Sequence, residues 1–240
     1  MKTTARVLVF FVALGLLTSC DHETIRASDE TTSLDYSIPD YSNLKISHAF
    51  NAYVTFSDTE ESIRIEANDN LHDRIVVQKD GNSLIIKLKK FTNVKGNATL
   101  NAYIVTKDIS RFDLSGASSL TLENEWVVQN GDIELSGASN FSGEVRAERL
   151  NLDLGGASRT SIFGSTATMY ADLSGSSEIV DYDLAVSQLN MDLSGASEAF
   201  LSVSESIAIE ASGASILNYK GNPVITKQEL SGASEIKNRN

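Results

Sequence analysis

Cysteine, proline and aromatic residues are scarce in this chain of 240 residues. Its one cysteine, Cys20, excludes a disulfide within the monomer. Its two prolines, Pro39 and Pro223, leave the interior nearly free of residues that interrupt strands. With only 7% aromatic residues, the core must be built from aliphatic and small side chains. Because Val, Ile and Leu recur among evenly spread Ser, Gly, Asn and Asp, the composition predicts short strands joined by tight turns.

Basic residues are also few, and the formal net charge is −12. Without Lys2 and Arg6 of residues 1–19, 18 basic residues remain against 32 acidic ones, a net charge of −14. A protein that follows a phosphate backbone needs clustered Lys and Arg, so we expect no nucleic-acid partner.

Residues 1–19 have the pattern of a signal peptide. Lys2 and Arg6 precede an apolar run, Val7 to Leu17, that is too short for a bilayer, which needs about 20 residues. The run ends in Leu17-Thr18-Ser19-Cys20, which is similar to the lipobox of bacterial lipoproteins. That resemblance implies lipidation of Cys20 and membrane attachment through the lipid; a cleaved signal with an incidental cysteine is the alternative. Residues 20–33 are polar and lack a hydrophobic period, so they are predicted to be a flexible tether.

The second half of the chain carries a short internal repeat. Ser-Gly-Ala-Ser or a close variant occurs seven times, at intervals of 18 to 21 residues. The residue two before each Gly is Leu or Ala, the residue three before is acidic, and the residue four before is apolar in six units. This alternation predicts a strand with one buried face, followed by a turn at the glycine. The predicted turn glycines are Gly116, Gly137, Gly156, Gly175, Gly195, Gly213 and Gly232.

A unit of this length holds two or three short strands but no helix, and it cannot bury its own apolar face. Stacking of successive units solves this, since each strand then pairs with its equivalent at about 4.8 Å. We therefore predict an all-β parallel β-helix (solenoid), with regular repeats over residues 111–240 and irregular coils acting as a cap over residues 34–110. A separate small β-domain over residues 34–110 is the alternative. Candidate strands there are Leu44–Ser47, Ala52–Phe56, Ile63–Glu66, Ile75–Gln78, Leu84–Leu88 and Ala98–Thr106.

These features together resemble a known family. The chain has a lipobox, then Asn70-Leu71-His72-Asp73-Arg74-Ile75 and Asp80-Gly81-Asn82-Ser83-Leu84, then serial Leu-Ser-Gly-Ala-Ser units. Over roughly residues 40–236 it resembles the auto-transporter adhesin family called the head GIN domain. The resemblance implies a single-stranded, right-handed parallel β-helix in the envelope of a Bacteroidetes-like bacterium. It implies a binding role and transfers no catalytic residue.

The repeated serines do not predict a catalytic nucleophile. Catalysis needs one serine with a histidine and an acid, whereas this pattern gives seven equivalent serines. The only histidines, His22, His48 and His72, lie outside the regular repeats. We expect the hydroxyls to bond to turn backbone or to each other. The serines are Ser118, Ser139, Ser158, Ser177, Ser197, Ser215 and Ser234.

The acidic position of the repeat forms a second series, here called the acidic column. Its members are Asp113, Glu134, Asp153, Asp172, Asp192, Glu210 and Glu229. We interpret it as a solvated negative face that discourages aggregation at strand edges. The alternative is a site for Ca²⁺ or a cationic ligand on Asp113, Glu134, Asp153, Asp172 and Asp192, although Ca²⁺ needs oxygens that converge on one point. No metal or cofactor is predicted.

The predicted function is non-catalytic: an adhesin-like lipoprotein of the outer membrane, on its surface or periplasmic face, that contacts an unknown glycan or protein. One alternative is a periplasm-facing structural protein that self-associates through exposed coil edges as a homo-oligomer. The other is a polysaccharide-active enzyme using Arg146, Arg149 and Arg159 near Asp153 and Glu144, but no long loop interrupts the repeat. Stacked repeats would place Arg159 beside Asn140 and Glu178 as an ordinary cross-strand neighbour.

Four aromatic residues in the repeats leave a question open. Tryptophan in the longest interval could stack on a sugar or cover a corner of the solenoid. The residues are Trp126, Tyr170, Tyr182 and Tyr219.

Overall fold

A computed structural model describes residues 23–240, which form twenty strands and one short 3₁₀ helix. The N-terminal elements are β1 (Glu23–Arg26), β2 (Thr31–Tyr36), β3 (Asn43–Ile46), β4 (Asn51–Phe56), β5 (Ser62–Asn68), the 3₁₀ helix (Asp69–Arg74), β6 (Ile75–Asp80), β7 (Ser83–Leu88), β8 (Thr92–Lys95) and β9 (Leu100–Thr106). The repeat contains β10 (Arg111–Leu114), β11 (Ser119–Leu122), β12 (Trp126–Leu135), β13 (Asn140–Leu154), β14 (Arg159–Leu173), β15 (Glu178–Val180), β16 (Leu184–Leu193), β17 (Glu198–Ala211), β18 (Ile216–Lys220), β19 (Val224–Leu230) and β20 (Glu235–Asn238).

The repeats stack as parallel coils. The strand before each corner pairs in register with its equivalent in the next coil, so Leu135, Leu154, Leu173 and Leu193 follow one another as direct partners. All four leucines are buried, as the alternating pattern requires. The predicted fold is confirmed: the molecule is a parallel β-solenoid of about seven turns.

Each corner of the repeat is closed by its glycine and serine. The seven glycines have φ between +70° and +79°, a region that other residues enter only with strain. A Cβ on Gly175 would lie 2.5 Å from the carbonyl oxygen of Gly156 in the preceding coil. Six of the seven serine hydroxyls donate to the carbonyl three residues earlier at 2.8–2.9 Å, and Ser177 donates to Leu154 O at 3.1 Å. The serines therefore hold the corners together.

An irregular coil of the N-terminal part lies between two later segments of the chain. β3 and β4 pair in parallel with β10 and β11 on one side. On the other side they pair in parallel with β7 and β9. The corner between β3 and β4 also turns with a positive φ, at His48 (66°), which stands where the repeats have glycine, but Ala49 adds a second positive φ (61°) that the repeat corners lack. The coil formed by β7 and β9 therefore lies nearer the N-terminal end of the solenoid than the coil of β3 and β4, although it comes later in the sequence.

Antiparallel strands close this end of the solenoid. β5 pairs antiparallel with both β9 and β2, and β6 pairs antiparallel with β7. The 3₁₀ helix packs on the same end through Leu71, which is fully buried. This end of the hydrophobic core is consequently covered.

The structure corrects the tether predicted over residues 20–33 within its described part, residues 23–33. β1 pairs in parallel with β8, and β2 begins at Thr31. The side chain of Asn70 fixes the link between them, accepting from Ser28 N at 3.0 Å and donating to Arg26 O at 2.8 Å. Strand pairing uses backbone groups, so a polar sequence does not prevent it. The predicted signal peptide and Cys20 lie outside the described residues.

One cluster of buried side chains runs from Leu44 in the N-terminal coils to Tyr219 in the last repeats. The core is therefore continuous along the solenoid. Over residues 23–240 the structure has no helix with the length and apolar character that crossing a membrane requires.

Candidate ligand-binding surface

The acidic column is continuous in the structure. Its five sequence-predicted candidates are direct partners on successive coils, and the series continues into the last two acids. Neighbouring members are therefore about 4.8 Å apart along the sheet, the spacing of paired strands. Their order is Asp113, Glu134, Asp153, Asp172, Asp192, Glu210 and Glu229.

Cationic side chains pair with both ends of the acidic column. At the N-terminal end, Lys45 Nζ lies 3.0 Å from Asp113, and Arg111 forms an ion pair with Glu134. At the other end, Lys227 contacts Glu210 and lies 3.3 Å from Glu229. Hydrogen bonds to these two glutamates raise the pKa of Lys227.

The middle of the column lacks such partners. Asp153, Asp172 and Asp192 form no ion pair or side-chain hydrogen bond with any residue of the range 23–240. Partial burial, followed by the charges of Asp153 and Asp192, raises the pKa of the central carboxyl, Asp172. Adjacent carboxylates at this spacing repel by about 1 kcal/mol in water. The three aspartates therefore form a strip of unneutralised negative charge.

A second outward column runs beside the acidic one, five residues before each glycine. Its central members are Asn151, Tyr170 and Asn190, which are direct neighbours on successive coils. Asn151 donates to Asp132 at 2.6 Å, and Tyr170 is 45% exposed. The two columns line a groove of about 390 Å³ that extends from Arg111 to Lys227. The groove offers carboxylates, amides and one aromatic ring to a ligand.

The acidic column does not have the geometry of a metal centre. Each coil contributes one carboxylate, and all of them project from the same face without converging. Among the residues that the structure describes, no group of three or more His, Cys, Asp or Glu side chains is placed to hold a metal ion. The groove is better suited to an extended ligand that meets several carboxylates in succession.

The three arginines considered for catalysis do not converge on one point. Arg159 lies beside Asn140 and Glu178 as predicted, with its Nε 3.0 Å from the Glu178 carboxylate. Arg146 binds Glu125 at 2.7 Å, and the side chain of Arg149 donates to Asn130 at 3.2 Å. Each arginine thus has a structural partner on a neighbouring coil.

The two described histidines contact groups other than the corner serine hydroxyls. The His48 ring contacts Ser47, and His72 Nε2 lies 3.1 Å from Thr32 O. His22 lies outside the described residues.

Trp126 belongs to the core. It is 1% exposed, donates from Nε1 to Ile109 O at 2.7 Å, and packs edge-on against Phe112 with ring centres 4.9 Å apart. It covers the interior and does not face a ligand. Tyr219 is buried too, which leaves Tyr170 as the exposed aromatic residue of the groove.

Sequence analysis missed two features of this surface. The first is the set of cations at the ends of the column; two of them, Arg111 and Lys227, stand five residues before a repeat glycine, and that spacing could have identified them. The second is a stacked pair, Tyr53 and Tyr103, with ring centres 5.2 Å apart. These two tyrosines lie on β4 and β9, whose pairing is not apparent in the sequence.

Comparison with known proteins identifies a family. A family model described as "Putative auto-transporter adhesin, head GIN domain" matches residues 40–223. Comparison with curated proteins finds no match.

Solved structures share the fold. A "putative adhesin" from Bacteroides fragilis superposes with a TM-score of 0.82 at 21% identity, covering 90% of this chain and 100% of that one. A "putative lipid binding protein" from Parabacteroides distasonis gives a TM-score of 0.76 at 16% identity, covering 91% and 100%. A "putative adhesin" from Parabacteroides merdae gives 0.66 at 15%, covering 90% and 99%. At these identities the similarity establishes the fold alone.

Proposed function

We propose, from the premise that this chain belongs to the "Putative auto-transporter adhesin, head GIN domain" family, that it is a non-catalytic, adhesin-like binding protein of the cell envelope. Its solenoid contacts a glycan or protein at the cell surface. The adhesin-like character of the family and of the structural relatives supports this role. The serines and arginines weighed as catalytic candidates have structural partners, which supports a role without catalysis.

The observation that carries the proposal is the groove with Asp153, Asp172 and Asp192 at its centre. These carboxylates have no cationic partner within the described chain, although the ends of the same column do. A ligand with regularly spaced positive groups would remove their mutual repulsion and would gain charge-assisted hydrogen bonds. A basic protein segment or an amine-bearing glycan has this chemistry, and Tyr170 adds a ring for apolar contact.

Attachment to the membrane is proposed through a lipid on Cys20, following cleavage after Ser19. The lipobox-like sequence before Cys20 supports this step. The anchored solenoid would lie at the outer membrane, on its outer surface for an adhesin and on its periplasmic face for a structural protein.

Protease treatment of intact cells separates these two locations. An antibody to the solenoid reports the surviving protein, lysed cells show that the protease can cut it, and a Cys20→Ser variant shows whether retention in the membrane fraction needs the cysteine. Loss of signal from intact cells is the expected result. Protection until lysis would overturn surface exposure.

Binding is tested with the full chain against immobilised glycans, extracellular matrix proteins and polylysine. The triple variant Asp153→Asn, Asp172→Asn, Asp192→Asn should bind several-fold more weakly than the wild type, and wild-type binding should weaken as salt rises. The matched control changes three exposed acids of the β4–β5 loop, Asp58→Asn, Glu60→Gln and Glu61→Gln, which alters the net charge equally. Equal loss in both triple variants would mean that the groove is not the binding site.

A further inference from the structure

β19, at the C-terminal end of the solenoid, is an exposed edge strand with apolar side chains. All seven of its residues are exposed. Val224 is 67% exposed, Ile225 39% and Leu230 38%. The β17 partners of Ile225 and Leu230, which are Ile207 and Ala211, are buried. β19 pairs with β17, and no strand within residues 23–240 pairs with its other edge. An unpaired edge of this kind is a template for another strand.

The two ends of the solenoid differ in how their core is covered. β2, β5 and β6 close the N-terminal end with antiparallel pairing. Repeat proteins need such terminal caps, because an uncovered coil leaves core side chains in water. The N-terminal cap also removes the surface on which a second copy could stack head to tail. A second copy can extend the sheet at the opposite end of the solenoid, by pairing its own β19 with the open edge of β19.

The charges of β19 fit that arrangement. Gln228 has Lys227 on one side and Glu229 on the other. If two copies of β19 run antiparallel with Gln228 opposite the partner's Gln228, each Lys227 lies opposite the partner's Glu229. Directly opposed residues share one face of the sheet and interact most strongly. A shift of the partner by one residue would instead place Lys227 opposite the partner's Gln228 or opposite the partner's Leu230, and both ion pairs would be lost.

We propose that β19 is a homodimer interface, in which two copies of this chain pair their β19 strands antiparallel about a two-fold axis at Gln228. Apolar residues at both ends of β19 lose exposure to water on pairing. Because antiparallel neighbours keep the same outward face, the two acidic columns join into one surface across the axis. An extended ligand can then contact both copies at once, which raises its apparent affinity. The dimer itself does not depend on the proposed binding role.

Cysteine cross-linking tests the interface with the full chain in bacterial membranes. Gln228→Cys places the new cysteine opposite its copy, where paired strands bring Cα atoms about 4.5–5.5 Å apart, within the range of a disulfide. Oxidation with copper phenanthroline should convert this variant to a covalent dimer. The wild-type chain, whose only cysteine is Cys20, sets the background.

Thr226→Cys is the matched control. In the proposed register the two copies of residue 226 are four residues apart along the strands, about 13 Å, which is too far for a disulfide. Selective cross-linking of the residue-228 variant supports the proposal. Equal cross-linking of both variants, or none above the wild-type background, overturns it.

A charge exchange tests the register independently, in chains that also carry Gln228→Cys. Lys227→Glu should lower the cross-linked fraction several-fold, because acids then face acids across the axis. Adding Glu229→Lys restores opposite charges and should restore the yield. The register is contradicted if Lys227→Glu leaves the cross-linked fraction unchanged, or if adding Glu229→Lys fails to raise it again. Circular dichroism of each variant checks that the fold is retained.

Discussion

At the scale of single residues, the hydroxyl groups inside the solenoid have unequal surroundings. The corner serines donate to carbonyls of their own turns. Thr160 stands in an apolar column with Phe141 and Ile179 as its direct neighbours, and its Oγ1 is buried without a hydrogen-bond partner. A buried hydroxyl with no partner destabilises a fold by about 1–3 kcal/mol.

Replacement of that hydroxyl by a methyl group should stabilise the protein. Thr160→Val keeps the size and branching of the side chain, so we expect the free energy of unfolding to rise by about 1 kcal/mol in denaturant titrations. Thr166→Val is the control, because Thr166 is also buried but donates to Thr168 O at 3.1 Å, and its loss should destabilise. Destabilisation by Thr160→Val would show that its hydroxyl has a partner, such as an internal water.

Two glycines with positive φ, Gly175 at a repeat corner and Gly81 between β6 and β7, allow a second comparison between single residues. Gly175→Ala requires φ near +74° and places a Cβ 2.5 Å from a backbone oxygen, so the neighbouring coils must move apart. We expect a loss of about 3 kcal/mol in the free energy of unfolding. Gly81→Ala has a similar φ of +57° with nothing within 4 Å of the new Cβ, so it should cost only about 1 kcal/mol. Equal losses would mean that the contact between coils does not matter.

At the scale of elements, the acidic column makes stability depend on pH. The pKa of Asp172 is raised in the folded protein by burial and by its two acidic neighbours, so folding favours the protonated form. The free energy of unfolding should therefore fall as the pH rises through the range just above the ordinary aspartate value of 3.8. Above the folded-state pKa the whole penalty is present.

Asp172→Asn should remove that penalty. We expect the variant to be more stable than the wild type at about pH 7, with a smaller difference at about pH 4, in denaturant titrations at the two conditions. Asp113→Asn, which loses the ion pair with Lys45, should give no such gain. If Asp172→Asn changed the free energy of unfolding equally at both pH values, ionisation of Asp172 would be excluded as the source of the penalty.

The strands could largely be predicted from sequence, whereas their pairing could not. All six strands proposed between Leu44 and Thr106 exist, and the majority of their ends differ from the predicted ends by one or two residues. β1, β2 and β8 were missed because they are short or polar and lack a buried face. The antiparallel cap could not be derived either, since nothing in its alternating pattern distinguishes parallel from antiparallel partners.

The acidic column was predictable because one residue type recurs at one repeat position. The division of the column into ends that form ion pairs and a centre that does not was not predictable from the sequence. Lys45 reaches Asp113 from the coil of β3 and β4, which is 68 residues earlier in the sequence. That coil escaped recognition as a repeat because His48 replaces the corner glycine and Phe50 replaces the corner serine. A positive φ at a histidine leaves no signal in the sequence.

At the scale of the whole molecule, the order of coils ties the N-terminal part to the repeats. The coil of β3 and β4 is held between β7 and β9 on one side and β10 and β11 on the other. It cannot leave without breaking pairing on both sides. This arrangement favours cooperative unfolding of residues 34–110 with the adjoining repeats over unfolding of a separate domain.

Leu44→Ala tests this cooperativity. Leu44 is fully buried, so we expect its truncation to cost about 3 kcal/mol. Trp126, the only tryptophan, lies in the repeats and reports their unfolding by fluorescence, while circular dichroism reports all strands. The two midpoints should fall together in the variant, whereas Leu34→Ala, at a leucine that is 44% exposed, should change neither by much. If residues 34–110 unfolded independently, Leu44→Ala would shift part of the dichroism transition and leave the Trp126 midpoint where it is in the wild type.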